Sequence, residues 1–299
     1  MPRLTPVAHP LQPSRRDLLR LSALAGVVFA SGLPGYAWAA GAGDFYFVQL
    51  SDLHWGFADP KVNPDPKASL ERAIAAVNAM NPQPDFIVFT GDLTHMTKDA
   101  AERRKRMTEV KAMLAGLKTQ KHVYLAGEHD AMADFGAAFQ QVFGPLHQSF
   151  DHKGLHFITL DNVSDPRGVI GEAQLAWLAA DLQGRDPAAP IVVLTHRPLF
   201  DLKPDWDWHT ADGGKALALL QPFRNVTVFY GHVHQENRHM TGNITHLAAR
   251  SAMYPLPAPG AQPKKAPLPW DAAAKDHGIG WRGIATAEGM IEATDYPTA

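Results

Sequence analysis

Five short apolar runs recur along the chain, at 45–50, 86–90, 122–126, 191–195 and 226–230. Each is rich in Val, Ile, Phe and Tyr, carries no charge, and has the length of a strand buried on both faces. Between them the hydrophobic period changes from continuous to helical. Residues 67–80 place Leu70, Ile74 and Val77 at spacings of four and three. Residues 98–117 carry Met107, Val110, Met113, Leu114 and Leu117 on one face, with the basic run 103–106 read as a solvated face elsewhere. Residues 172–182 bring Leu175, Leu178 and Leu182 together, and 215–220 is a shorter helix. Strand and helix in alternation predict an α/β fold with largely parallel strands. Further strands at 155–160, 243–248, 283–287 and 290–294 lie closer together and predict hairpin pairing late in the chain. Residues 254–269 hold six prolines and read as a long surface loop rather than a boundary, because strand-like sequence resumes after them.

The first forty residues break this pattern. Ser14-Arg15-Arg16-Asp17-Leu18-Leu19-Arg20 leads into an apolar stretch ending at Ala30, then Gly32, Pro34 and Gly35, then Ala37-Trp38-Ala39. A basic region, a short apolar run and a small-x-small site describe a secretory signal. The paired arginines resemble a twin-arginine signal, whose route carries folded proteins and would allow metal loading before export. The expectation is a signal peptide at 1–39, one domain at 40–299 and a periplasmic location. The apolar run is too short to span a membrane, so none is expected in the mature protein.

Composition narrows the chemistry. The 299 residues are 45% hydrophobic, enough for one sizeable core, and contain no cysteine. Disulfides, thiolate metal sites and cysteine nucleophiles are excluded. Without residues 1–39, which hold four arginines and one aspartate, 24 basic and 29 acidic side chains remain, a net charge of −5. No polybasic nucleic-acid patch is indicated, and bound metal becomes the natural attraction for an anionic substrate.

The chemistry-bearing residues follow the five strands. After the first comes Ser51-Asp52-Leu53-His54, after the second Gly91-Asp92, after the third Gly127-Glu128-His129-Asp130. The fourth runs into His196 and the fifth into Gly231-His232-Val233-His234. In open α/β sheets ligands bind at the carboxyl ends of strands, and here each such end presents imidazole or carboxylate. That donor set suits zinc, manganese or iron. Two such ions close together can share a carboxylate and clamp both oxygens of a phosphoryl displacement.

These five motifs, in this order, resemble those of the calcineurin-like metallophosphoesterases, over roughly 45–246. The resemblance implies a four-layer αββα sandwich with a dinuclear site at the strand ends. It implies that Asp52, His54 and His234 hold one metal, that Asp92 bridges, and that His196, His232 and residue 128 hold the second. His129 would contact substrate and protonate or stabilise the leaving oxygen. Asp130 would orient its loop or cap a helix. The implied activity is hydrolysis of a small-molecule phosphomonoester or phosphodiester by a metal-bridging hydroxide. The alternative is a periplasmic metal-binding protein on an inactive fold of this type.

One position departs from the family. Asparagine is usual where this chain has Glu128. An ionised glutamate can ligate but cannot donate a hydrogen bond, and it adds negative charge beside the phosphate. It is read as a ligand, as an acid or base that swings aside, or as the mark of lost hydrolysis. His95 stands where many relatives carry Asp or Asn, and either reaches substrate or is a plain loop residue. Trp55 is the expected substrate-facing wall of the pocket. Trp206, Trp208 and His209 either stack on substrate or, as favoured, pack their loop against the body. Arg197 and Arg250 either approach the site from neighbouring loops or lie on the surface. His246 sits in a strand just after the His-x-His motif.

Overall fold

The computed structural model describes residues 44–274, 277–287 and 290–298. The expected export signal at 1–39 lies outside them. Side chains along the strands alternate between two destinations, and this alternation defines the layers. In β1 (Phe45–Leu50), Phe45 and Phe47 enter one apolar cluster while Val48 and Leu50 enter another. In β2 (Phe86–Thr90), Phe86 and Val88 join the first, Ile87 and Phe89 the second.

The first cluster lies between two sheets. It joins these residues to Val123 and Leu125 of β3 (His122–Leu125), and to residues of three strands in the other sheet. Those are Phe157 of β5 (Leu155–Thr159), Val192 and Leu194 of β6 (Ile191–Leu194), and Phe229 of β7 (Val226–Tyr230). The second cluster covers the outer face of the first sheet with two helices. They are α1 (Pro66–Asn78), through Leu70, Ala73 and Val77, and α2 (Ala100–Leu114), through Met107, Val110 and Leu114. A third cluster does the same for the other sheet. Ile191, Val193, Val226 and Val228 pack on Leu175, Leu178 and Leu182 of α5 (Glu172–Leu182) and on Ala216, Leu217 and Leu220 of α6 (Gly213–Leu220). The result is the αββα sandwich.

Short helices α3 (Glu128–Ala131) and α4 (Ala137–Phe143) follow β3. The remaining strands are β4 (Gln148–His152), β8 (Asn237–Thr241), β9 (Ile244–Ala248), β10 (Gly280–Ala287) and β11 (Met290–Pro297). The first sheet runs β11-β10-β1-β2-β3, the second β4-β5-β6-β7-β9-β8. The strands β1, β2 and β3 are parallel, as are β5, β6, β7 and β9. The expected late hairpin is β10–β11, and β9 forms a second antiparallel one with β8, a strand the sequence reading did not include.

Helix starts differ by a few residues from the sequence reading, for local reasons. Asp65 accepts from the Ala68 N–H with Pro66 at the first helical position, and Asp99 accepts from Ala101 and Glu102. β4 and β8 escaped the sequence reading because each is a polar sheet edge that one partner strand suffices to pair. The solvated reading of 103–106 fails for Arg103. It is buried in α2 and pairs with Asp134 at 2.7 Å. Arg106 donates to the His95 carbonyl at 2.9 Å and so ties α2 to the loop after β2. Among the described residues no helix is long and apolar enough to cross a membrane.

Candidate metal centre

The C-terminal ends of β1, β2 and β3 in one sheet and of β6 and β7 in the other deliver every motif residue to one place. Asp52, His54, Asp92, His232 and His234 carry φ between 43° and 66°, the left-handed region that bulky residues avoid. Such backbone persists only where its surroundings fix it. Here the loops are bonded to one another: Asp52 N to Gly91 O at 3.0 Å, His54 N to Asp92 O at 2.8 Å, and Gly231 N to His196 O at 3.0 Å. The approach is close enough to explain two motif glycines. A Cβ on Gly127 would lie 2.0 Å from Asp92 Oδ1, and one on Gly231 2.1 Å from Ser51 Oγ.

Carboxylates are oriented next. Asp52 Oδ2 accepts from Ser51 Oγ at 2.5 Å, and both its oxygens accept from His232 N. Asp92 Oδ1 accepts from His129 N at 2.9 Å, which turns Oδ2 inward. Asp130 is buried and holds two loops together. It accepts from Leu93 N, Thr94 N and Gly127 N at 2.9–3.0 Å and from Thr94 Oγ1 at 2.8 Å. Both expected roles are met: Leu93 N and Thr94 N tie Asp130 to the loop after β2, and Gly127 N is the N-cap amide of α3. Asp130→Ala would strand those donors, and a loss of about 2–3 kcal/mol is expected in a thermal or denaturant melt. Asp130→Asn should recover part of it.

Three of the four inner histidines spend the outer nitrogen on a backbone carbonyl, while His54 turns Nδ1 toward His95 Nδ1 at 3.4 Å. His196 Nδ1 donates to Thr90 O at 2.7 Å, His232 Nε2 to Asp207 O at 3.0 Å, and His234 Nδ1 to Tyr254 O at 2.7 Å. This leaves His196 Nε2, His232 Nδ1 and His234 Nε2 as the free inward lone pairs, the arrangement typical of ligating histidines. His129 is different. Its Nδ1 accepts from Met96 N at 2.9 Å, so the hydrogen-bond network assigns its proton to Nε2, 3.9 Å from Asp92 Oδ2.

Two donor groups result. In one, His234 Nε2 lies 3.2 Å from Asp52 Oδ1 and 3.1 Å from His54 Nε2. In the other, Glu128 reaches His196 Nε2 at 2.9 Å and His232 Nδ1 at 3.0 Å. Asp92 Oδ2 stands between them, 3.6 Å from both His54 Nε2 and His196 Nε2. Both groups, Asp52-His54-His234 and Glu128-His196-His232, have the donor types and spacing that could hold a metal ion.

Electrostatics follow from this crowding. Burial disfavours charge on His196, but Asp92 and Glu128 outweigh it and hold the ring well above the usual histidine range. Burial would raise Glu128, yet His232 and His196 draw it well below the usual carboxylate range. Burial, and then the rings of His129, His234 and His95, hold His54 well below its ordinary value.

The sequence profile of the calcineurin-like phosphoesterases matches residues 45–236, more than half of the chain and the span that holds every one of these donors. The chain belongs to the calcineurin-like phosphoesterase family. A serine/threonine-protein phosphatase of Danio rerio, CPPED1, is 29% identical over 222 residues, 65% of this chain and 71% of its own. A probable cyclic nucleotide phosphodiesterase of Rhodopseudomonas palustris is 26% identical over 211 residues, 63% of this chain and 71% of its own. The crystal structure of a dimetal phosphatase from Danio rerio has the same fold. It covers 85% of this chain and 96% of its own with a TM-score of 0.59, at 13% identity.

Within this calcineurin-like frame the donors fit metal ions on the evidence of their own atoms. With His196 in the neutral tautomer that donates to Thr90 O, Glu128 Oε2 and His196 Nε2 turn lone pairs toward each other at 2.9 Å in a buried site, which is costly unless a cation satisfies both. Neutral imidazole and carboxylate suit manganese, iron or zinc.

Other sequence-derived candidates are placed as follows. Trp55 is turned away from the donors: its indole N–H donates to Glu109 of α2 at 2.9 Å and its ring packs on the helix-covered cluster. The rings that flank His54 are Tyr254, stacked at 4.9 Å, and His95 at 5.4 Å, with Phe57 against Tyr254 at 4.6 Å. Tyr254 Oη lies 3.3 Å from His54 Nε2. His95 Nδ1 comes within 3.4 Å of His54 Nδ1, and burial with His129 nearby pushes His95 down to about 4. Trp206 and Trp208 are buried against Tyr230 and Val233, the packing role, while Arg197 is buried beside Glu128. His246 is buried among Phe200 and His239, and burial pushes it down to about 4.

Proposed function

We propose that this family member is a two-metal hydrolase of phosphomonoesters or phosphodiesters. The observation that carries the reading is the inward oxygen of Asp92, equidistant at 3.6 Å from a ligand nitrogen of each donor group. Asp52, His54, His234 and Asp92 would hold one ion; Asp92, Glu128, His196 and His232 the other. Bound metal supplies a nucleophile from water at neutral pH and draws charge from the phosphoryl oxygens. The protein residues set the rest. His129 Nε2–H, partly exposed beside Asp92, is positioned to donate to the leaving oxygen. Backbone carbonyls on His196, His232 and His234 hold three imidazoles in the tautomer that faces inward. A depression of about 310 Å³ adjoins His234 and is lined by Gln235, Glu236, Arg250, Pro255 and Leu256, a place for the ester's organic group. That relatives include a phosphatase and a probable cyclic nucleotide phosphodiesterase, and that a fold neighbour is a dimetal phosphatase, supports the class without choosing between mono- and diester.

The test is turnover of an aryl phosphate and a bis-aryl phosphate after chelation and reloading with manganese, iron or zinc. Activity should vanish on chelation and return with metal. Protein that takes up two ions and turns over neither ester would instead be the metal-binding alternative. His129→Ala should lower kcat about 10²–10³-fold with metal content unchanged, the usual size of a lost general acid.

We also propose that the enzyme acts outside the cytoplasm, on the strength of the Ser14–Arg20 and Ala37–Ala39 signal residues. Replacing Arg15 and Arg16 by lysine should retain the protein inside the cell. Export of that variant at the wild-type level would argue against the twin-arginine route.

A further inference from the structure

Arg197 follows the donor His196 and is buried, its side chain 6% exposed. Its Nη1 donates to Asp207 Oδ1 at 2.8 Å and its Nη2 pairs with Asp207 Oδ2 at 2.7 Å. The backbone is pinned as well, since Asn162 Nδ2 donates to Arg197 O at 2.9 Å and Asn162 Oδ1 accepts from Arg197 N at 3.3 Å. Gly168 leaves the guanidinium just enough room, because a Cβ there would lie 2.8 Å from Nη1. One nitrogen is left over. Arg197 Nε is buried without a hydrogen bond and lies 3.7 Å from Glu128 Oε2, the oxygen that faces His196 Nε2. Asp207 thus grips Arg197 through its carboxylate and His232 through its carbonyl, so one residue orients both neighbours of Glu128.

We infer that Arg197 supplies, toward a bound phosphate, the hydrogen-bond donor and the positive charge that Glu128 cannot. The inference rests on the phosphoesterase reading above. An amide at position 128 would bring an N–H and no net charge; an ionised carboxylate accepts only, and repels the anionic oxygens of a substrate. A guanidinium stays charged at any working pH, and one held rigidly by a carboxylate fork loses little freedom when its Nε–H is used. Arg197 and Glu128 therefore form a coupled pair, and the glutamate is tolerable because the arginine stands beside it.

The probe is inorganic phosphate titrated by calorimetry into the manganese-loaded protein, for wild type, Arg197→Met, Glu128→Asn and the double variant. Arg197→Met should weaken phosphate binding roughly ten- to a hundredfold, the effect of losing a charge-assisted donor. Manganese content should be unchanged. Glu128→Asn should strengthen binding about tenfold or more in the Arg197→Met background but only about threefold or less in the wild type, because the two changes couple. If Arg197→Met does not fold, Arg197→Lys with and without Glu128→Asn gives the same comparison, with a smaller loss. Equal gains from Glu128→Asn in both backgrounds would reduce Arg197 to an anchor for Asp207 and overturn the inference. So would an Arg197→Met protein that binds phosphate within twofold of wild type. A manganese-loaded wild type that neither binds phosphate nor cleaves esters would overturn the phosphoesterase reading itself, and this inference with it.

Discussion

Asp92→Asn should strip both ions from the centre and lower turnover by roughly 10³-fold or more, about 4 kcal/mol of transition-state stabilisation. Asparagine has the shape of aspartate, so the fold should survive. Yet the His129 N–H that holds Oδ1 at 2.9 Å would keep the amide oxygen on that side. The amide NH₂ would then occupy the position of Oδ2, 3.6 Å from His54 Nε2 and from His196 Nε2. A donor would stand where two cations need an acceptor. Metal per chain, turnover and thermal melting of the same preparation check this together. Retained stoichiometry with full activity would remove Asp92 from the bridging role.

Phe47→Ala should cost about 3–5 kcal/mol of stability, the range for deleting a buried phenyl ring from a packed core. Phe47 is fully buried between the two sheets. Its ring stacks on Phe86 at 4.9 Å and meets Phe157 and Phe229 edge-on at 5.5 and 5.9 Å. These neighbours sit on three strands from both sheets, so no small local shift can fill the gap. A fall in Tm of roughly 10 °C follows for a domain of this size. The melt should be run on chelated protein, because a bound ion would add its own stabilisation. A shift of only one or two degrees would mean that the sheets close over the void.

The two kinds of residue in these experiments differ in how visible they were in the sequence. The inner strands were legible because both faces are buried, so each is an unbroken apolar run whose end is marked by a polar motif. The donors were legible because they follow those runs directly. The polar edges β4 and β8 and the short helix α3 gave no such signal. Nor did the partners that orient the donors. Tyr254 O holds His234 from twenty residues away and Asp207 O holds His232 from twenty-five, and neither contact has a spacing rule. Trp55 shows the opposite error. It adjoins His54 in sequence, but its backbone bridges Thr94 and its indole turns to Glu109. The tryptophans at 206 and 208 carry the backbone turn at Asp207 (φ 64°) instead of meeting substrate. Arg197 was open between two readings until its burial beside Glu128 chose one.

Glu128 is the donor that decides how the second ion would be held. Its two carboxylate oxygens face His196 and His232 at 2.9 and 3.0 Å, where the second ion's donors converge. The most direct test is a crystal structure of protein loaded with manganese, with data collected for anomalous scattering. Two anomalous peaks about 3.5–4 Å apart are expected, both touching Asp92, with Glu128 bonded to the one that His196 and His232 hold. A single peak, or two peaks with the Glu128 carboxylate turned away from both, would contradict that arrangement.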